Sequence, residues 1–363
     1  MLARTMAKTE TQIIKRRSGL AWNVLLLLPI AVVGALLSVG SEYEFRDASF
    51  VASCFRGGTL PTWHPDLNLG QPFAALTSAC PWYPLHWLWI PFEPARIAPV
   101  LLAIHLWIAG LGALRFASPR KSAWLIALSC QVVLLASAFW GSADSVQPAT
   151  WLPWIVFSLR NVTEQRRGSE LRAAMASALA VLAGSLSVGL FVVAAGFLLA
   201  LQSSRQRRAS LVLAVLLGLS LGSVRLLPSL EAARYEFHDL ATETARAERS
   251  RGLPLAWIDA EDPSRAGELA LFRPAPHRVD LQVAGSSGGR IVFREPWTPD
   301  WKCNVNGADV DVELAENGFR QVRIPPGDSL VRTWYEPWSL RFGTALTLLT
   351  LIYLIRRRTR EAA

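Results

Sequence analysis

The sequence predicts a polytopic α-helical membrane protein of about eight spans, with a small extracytoplasmic β-sandwich domain near its C terminus. Three observations lead there. The 363 residues are 52% hydrophobic and only 18% charged, with a mean hydropathy of +0.28; soluble domains carry about 25% charged residues. Apolar stretches approaching the roughly 20 residues needed to cross a bilayer core recur along the chain. Basic residues alternate between successive connecting segments, as they do when positive loops stay cytoplasmic. This composition excludes a disordered chain, which would be polar and dense in charge. Four Cys exclude a disulfide scaffold.

Residues 1–18 read as a cytoplasmic N terminus and 19–40 as the first span. Its apolar run, Leu20 to Val39, holds one Asn and no charge. A removable signal peptide competes, but the run is long for a signal core and no small-x-small cleavage site follows. Residues 97–228 hold six further candidates: Ile97–Leu114, Ala123–Trp140, Trp151–Leu159, Ala173–Leu186, Val188–Leu201 and Leu211–Leu227. Residues 338–355 hold the last, Leu340–Ile355, and 356–363 form a basic tail. The segments assigned inside carry 19 basic and 4 acidic residues, and the rest of the chain carries 18 and 24. The net charge of +9 therefore divides into about +15 inside and −6 elsewhere. It encodes orientation, with both termini cytoplasmic in a bacterial inner membrane, and implies no nucleic-acid partner.

The first outside loop, residues 41–96, is rich in Pro, Trp and Gly, and loops of this length tend to be functional. Arg46 to Phe55 reads as a short interfacial helix. Trp63, Trp82, Tyr83, Trp87 and Trp89 suit the headgroup level. Glu42, Glu44, Asp47, His64, Asp66, Asn68, Gln71 and His86 supply polar groups for acid–base work or cation binding. A solvated loop with aromatic anchors is the other reading. Cys54 and Cys80 share this loop, where a disulfide and two free thiols fit equally. The His and Cys spacings match no zinc pattern.

The outside segment 229–337 is mostly β from about residue 274. Val279, Leu281 and Val283 alternate, and Asn306-Gly307 is a strong two-residue hairpin signal. About six short antiparallel strands follow, as in a small sandwich or jelly roll. Trp297, Trp301, Trp334 and Trp338 form either a sugar-stacking face or core packing.

The ordered series Gly58-Thr-Leu-Pro-Thr-Trp-His-Pro, Gly70-Gln-Pro, Tyr83-Pro and His105-Leu-Trp-Ile-Ala-Gly resembles the bacterial YfhO family. Trp151-Leu-Pro-Trp, Leu226-Leu-Pro-Ser, Glu295-Pro-Trp, Asn306-Gly307 and Tyr335-Glu-Pro extend the likeness. The chain departs from that family at His64, where Asn is usual, and in being a shortened form of it. The resemblance implies a GT-C-like fold and a glycosyltransferase taking sugar from a polyprenyl-phosphate donor. The acceptor would be an envelope glycan or lipid on the outer face. It places the catalytic base at Asp47, with Glu42 and Glu44 as competitors.

Such a donor puts its chain among membrane lipids and its phosphate at the headgroups. Arg225, with Arg234 or Arg46, is shaped to hold that phosphate, although an Arg near a span end also snorkels. His64 assists Asp47 in catalysis, and Asn68, Gln71, Tyr83 and His86 complete the substrate-binding set. No metal ligand set is assigned; a divalent cation is the one candidate cofactor. Two functions follow. One is the membrane glycosyltransferase. The other is a non-catalytic membrane protein that scaffolds envelope assembly or binds glycan through its β-domain. A transporter fits less well, because no span carries a run of ionisable residues.

Overall fold

The computed structural model describes residues 42–67, 69–76, 79–118, 122–140, 143–203, 207–234, 254–259 and 267–362. In chain order the first elements are helix α1 (Glu42–Arg56), strands β1 (Trp63–His64) and β2 (Gln71–Pro72), and the short helix α2 (Phe73–Leu76). A helical series follows: α3 (Pro94–Ala117), α4 (Ala123–Trp140), α5 (Ala143–Ala149), α6 (Leu152–Thr163), α7 (Ser169–Leu182), α8 (Leu186–Ser203), α9 (Arg208–Leu221) and α10 (Ser223–Arg234). Then come β3 (Ala256–Asp259), β4 (Glu268–Ala275), β5 (Arg278–Ser286), β6 (Gly289–Pro296), β7 (Trp301–Val305), β8 (Ala308–Val310), β9 (Glu313–Leu314), β10 (Phe319–Ile324) and β11 (Gly327–Tyr335). Helix α11 (Trp338–Ala362) closes the order.

The eight-span, GT-C-like architecture expected from the sequence is corrected. Among the described residues only α3 and the Trp338–Arg360 part of α11 are long and apolar enough to cross a membrane. A third span arises only if α9 and α10, bent by 75°, count as one. The first expected span, Leu20 to Val39, lies outside the described residues. The stretch Trp151–Leu159 falls in α6, whose 12 residues reach about 18 Å at 1.5 Å per residue, against a hydrocarbon core of about 30 Å. Ala173–Leu186 is broken after the 14 residues of α7, where Gly184 takes a φ of 47°. Beside the helices, the described residues hold three β-sheets. A short apolar run has two explanations, lipid contact or burial in a protein core, and α7 takes the second. Its Ala173, Ala174, Ala176, Ser177, Ala178 and Ala180 are all buried, as in a core helix that is apolar all round.

The chain divides into two compact units, one of residues 1–49, 78–222 and 347–363, the other of 50–77 and 223–346. The first unit is helical. Its core joins Ile155 and Leu159 of α6, Ala176 and Ala180 of α7, Val192 and Val193 of α8, and Leu211 and Ala214 of α9. Small residues bring these helices close. A Cβ at Gly218 of α9 would stand 2.6 Å from the Ser177 Cβ and 3.0 Å from the Ala174 carbonyl oxygen. A Cβ at Gly112 would strike the Trp154 indole, whose N–H donates to the Ile108 carbonyl at 2.8 Å.

The second unit is built on two antiparallel sheets sharing one core. One has the order β3-β6-β10-β9 and the other β4-β5-β11-β7-β8. Val279, Leu281 and Val283 of β5, Ile291 and Phe293 of β6, Cys303 and Val305 of β7, Val322 and Ile324 of β10, and Val331 of β11 meet between them. This is a β-sandwich with alternating inward apolar positions. Asn306 and Gly307, with φ of 54° and 91°, turn β7 into β8, as their sequence signals. The sandwich begins at Ala256, ahead of the onset near residue 274 read from the sequence.

Candidate functional site

The residues expected to form one outer-loop site divide between the two units. Arg46 and Asp47 lie on α1, Arg46 exposed and Asp47 half-buried. On the same helix Ala48, Val51, Ala52 and Cys54 are buried. Asn68 lies outside the described residues.

In the second unit the structure brings His64 and Gln71 together as partners in the β1–β2 ladder. His64 is buried. Its ring stacks on Phe50 with centroids 4.0 Å apart, and its Nδ1 accepts from the Asp66 amide at 3.3 Å. Its neighbour Trp63 is fully buried against Trp301 and Tyr335, centroids 5.0 and 4.8 Å away. Gly70 takes a φ of 112°, and its Cα sits so close to Trp63 that a Cβ would lie 2.8 Å from the indole. Trp63 is thus a core residue of the β unit, where the sequence suggested the headgroup level. Arg225 is buried in α10, and Arg234, at the end of that helix, is exposed.

In the first unit Tyr83 and His86 meet. Their rings stand edge to face, 5.0 Å apart. His105 Nδ1 lies 2.6 Å from the Leu101 carbonyl, and its Nε2 lies 2.9 Å from the Tyr83 hydroxyl. A carbonyl only accepts, so Nδ1 carries the proton and Nε2 accepts from Tyr83. The Trp151 indole N–H donates to the same hydroxyl oxygen at 3.2 Å. His86 Nδ1 donates to the Cys80 carbonyl at 2.9 Å, and its Nε2 lies 2.8 Å from the Gln147 side-chain amide. The ring also stacks on Trp89 at 4.0 Å. Burial pushes the Tyr83 phenol above its ordinary pKa, against the opposing Trp151 bond. These contacts make the network a tie between the 80–90 segment, α3 and the α5–α6 region. Cys54 and Cys80 stand as reduced, buried thiols.

No group of three or more His, Cys, Asp or Glu placed to hold a metal ion occurs among the described residues.

The sandwich carries two features that sequence reasoning missed. The first is a buried ion pair. Arg320, fully buried, donates through Nη2 to Glu295 at 2.5 Å, and Arg273 reaches the other oxygen at 2.7 Å. The Arg320 guanidinium lies between the Phe293 and Trp301 rings, 3.9 and 3.7 Å from their centroids. Burial pushes the Glu295 carboxyl up, and the pull of Arg320 and Arg273 outweighs it, so it sits below its ordinary pKa.

The second is the outer face of the five-stranded sheet. Register places Phe272, Asp280, Arg332, Asn304 and Asp309 in one row across β4, β5, β11, β7 and β8. The next row holds Arg278, Trp334 and Lys302. Phe272 is 67% exposed. Arg278 grips Asp280 through two bonds of 2.9 Å, and Asn304 donates to Asp309 at 3.0 Å. The signal in the sequence was the polar half of the alternation, once strand register aligned it. Of the four Trp considered as a stacking face, only Trp334 lies here. Trp301 is buried, and the Trp297 N–H is tied to the Val312 carbonyl at 3.0 Å.

Comparison with protein-family models, curated proteins and solved structures finds no match to this chain.

Proposed function

We propose that this protein is a non-catalytic bacterial membrane protein that binds an envelope glycan through the outer face of its five-stranded sheet. The observation that carries the reading is the aligned pair of rows on that face. Sugars present apolar C–H faces and a rim of hydroxyls. Phe272 and Trp334 offer rings, while Asp280, Asn304, Asp309, Arg278 and Arg332 offer planar polar groups that pair with hydroxyls. Shallow sheet faces of this kind suit a long polymer better than an enclosed pocket does. The apolar helices α3 and α11 supply membrane attachment.

The glycosyltransferase reading needs Asp47 and His64 to work on a reacting sugar, with a polyprenyl-phosphate donor held by arginine. His64 is instead enclosed by Phe50 and Phe73, and Tyr83 and His86 hold helices together. Binding therefore has the better geometric support.

The test is co-sedimentation of the full chain with purified cell-wall sacculi. Replacing two stacking rings at about 0.5–1.5 kcal/mol each weakens binding roughly tenfold in F272A/W334A. Undiminished binding by that variant sinks the reading. Altered envelope glycan composition in cells carrying Asp47→Ala, with sacculus binding intact, restores the transferase.

A further inference from the structure

We propose that the first unit holds a second ligand site, specific for the phosphate group of an anionic ligand, in a pocket where α6, α7, α9 and α11 meet. The pocket has a volume of about 410 Å³, within the roughly 300–1,000 Å³ typical of small-ligand sites. Five guanidinium groups line it, from Arg166, Arg167, Arg207, Arg357 and Arg358, against the single carboxylate of Glu170. The balance is more cationic than the count of pairs suggests. Arg166 pairs with Glu164 at 2.7 Å and Arg357 with Glu170 at 2.5 Å. Arg207 faces the neutral amide of Gln165. Among the described residues Arg167, Arg207 and Arg358 make no ion pair with a carboxylate. Three like charges around one cavity repel, and such an arrangement persists when an anion neutralises it.

The local backbone adds to this. Gly168 stands in the left-handed region before α7, and no side chain caps the helix. The positive end of a 14-residue helix therefore opens on the same cavity, since Ser169 and Glu170 line it. Arginine's planar fork suits phosphate oxygens in paired bonds. Val162 and Leu354 provide an apolar wall. Along α11, Leu351, Ile352 and Ile355 are exposed, so an apolar helix surface runs up to the arginines. Charge beside apolar surface matches a phospholipid, whose phosphate and chains have the same division. Soluble phosphate offers the charge alone. This site is separate from the glycan-binding face and stands whether or not that reading holds.

The experiment uses the full chain in a non-ionic detergent. It is titrated with phosphatidylglycerol, with zwitterionic phosphatidylcholine and with inorganic phosphate, and binding is read from the shift in thermal midpoint. Arg167→Gln/Arg358→Gln tests the pocket. Arg96→Gln, whose arginine pairs with Glu93 on the exposed start of α3, is the control. At about 1 kcal/mol per basic residue near an anionic lipid, the double variant loses affinity roughly thirtyfold, and the control keeps it. A response to phosphatidylglycerol alone that the double variant loses assigns the site to a lipid headgroup. A saturable response to inorganic phosphate, lost in the same variant, assigns it to a soluble phosphate. Equal responses to both lipids with none to phosphate overturn the proposal. So does a phosphatidylglycerol or phosphate response that survives in the double variant.

Discussion

Glu295 is the residue on which most charge depends, because it answers two arginines from a buried position. Removing one partner of a buried pair leaves the other charge uncompensated and costs about 3–5 kcal/mol. Glu295→Gln should therefore lower the urea stability of the full chain by that amount. Its carboxyl sits below the ordinary value, so its contribution is complete above the unfolded carboxyl's pKa. It disappears as pH falls through the folded value. Asp300 runs the opposite way. Burial, reinforced by the Glu231 carboxylate, pushes it up to about 6, although the Trp338 amide and Lys302 pull against that. Glu231 itself accepts from the Ser339 hydroxyl. A raised carboxyl makes the folded state bind the extra proton, so stability from this group falls as pH rises from about 4 towards 6. Asp300→Asn should gain stability over the natural chain at pH 7 and gain less at pH 4, as paired urea titrations would read. Gly70→Ala meets both a left-handed backbone and the Trp63 ring, and about 1–3 kcal/mol of destabilisation follows.

At the scale of elements, legibility tracked how local each cause is. The β5 alternation of Val279, Leu281 and Val283 was visible because strand period is set by neighbours two residues apart. The Asn306-Gly307 turn was visible because φ above zero is a property of those two residues. Helix α4 was readable from its apolar run, residue for residue with Ala123–Trp140. Whether such a run faces lipid or protein is decided by distant partners, and there the reading failed. The alanines of α7 looked like a span, yet they are buried because Gly218 lets α9 approach. Gly218→Val should destabilise the first unit by about 1–3 kcal/mol through overpacking, which thermal unfolding followed by helical circular dichroism would measure. Trp63 failed in the same way. An interfacial ring and a core ring have one sequence signature, and only the contact with Trp301, 238 positions away, separates them. The expected site failed for a related cause: Tyr83 and His86 pair within the helical unit, while His64 and Gln71 pair within the β unit.

At the scale of the whole molecule, the β unit is discontinuous. It takes residues 50–77 from one part of the chain and 223–346 from another. A fragment of residues 254–337 lacks the Trp63 ring over Trp301 and Tyr335, a loss comparable to a large-to-small core change of about 3–5 kcal/mol. Adding a peptide of residues 50–77 should raise the fragment's thermal midpoint; an unchanged midpoint would show that Trp63 contributes nothing there. Cys303, on the inward face of β7, gives the molecule an internal clock. Burial pushes its thiol up to about 12, so the thiolate that alkylating reagents need is scarce while the sheets stay closed. Its labelling rate therefore counts sandwich openings, and in one sample the buried Cys54 thiol on α1 times the release of that helix.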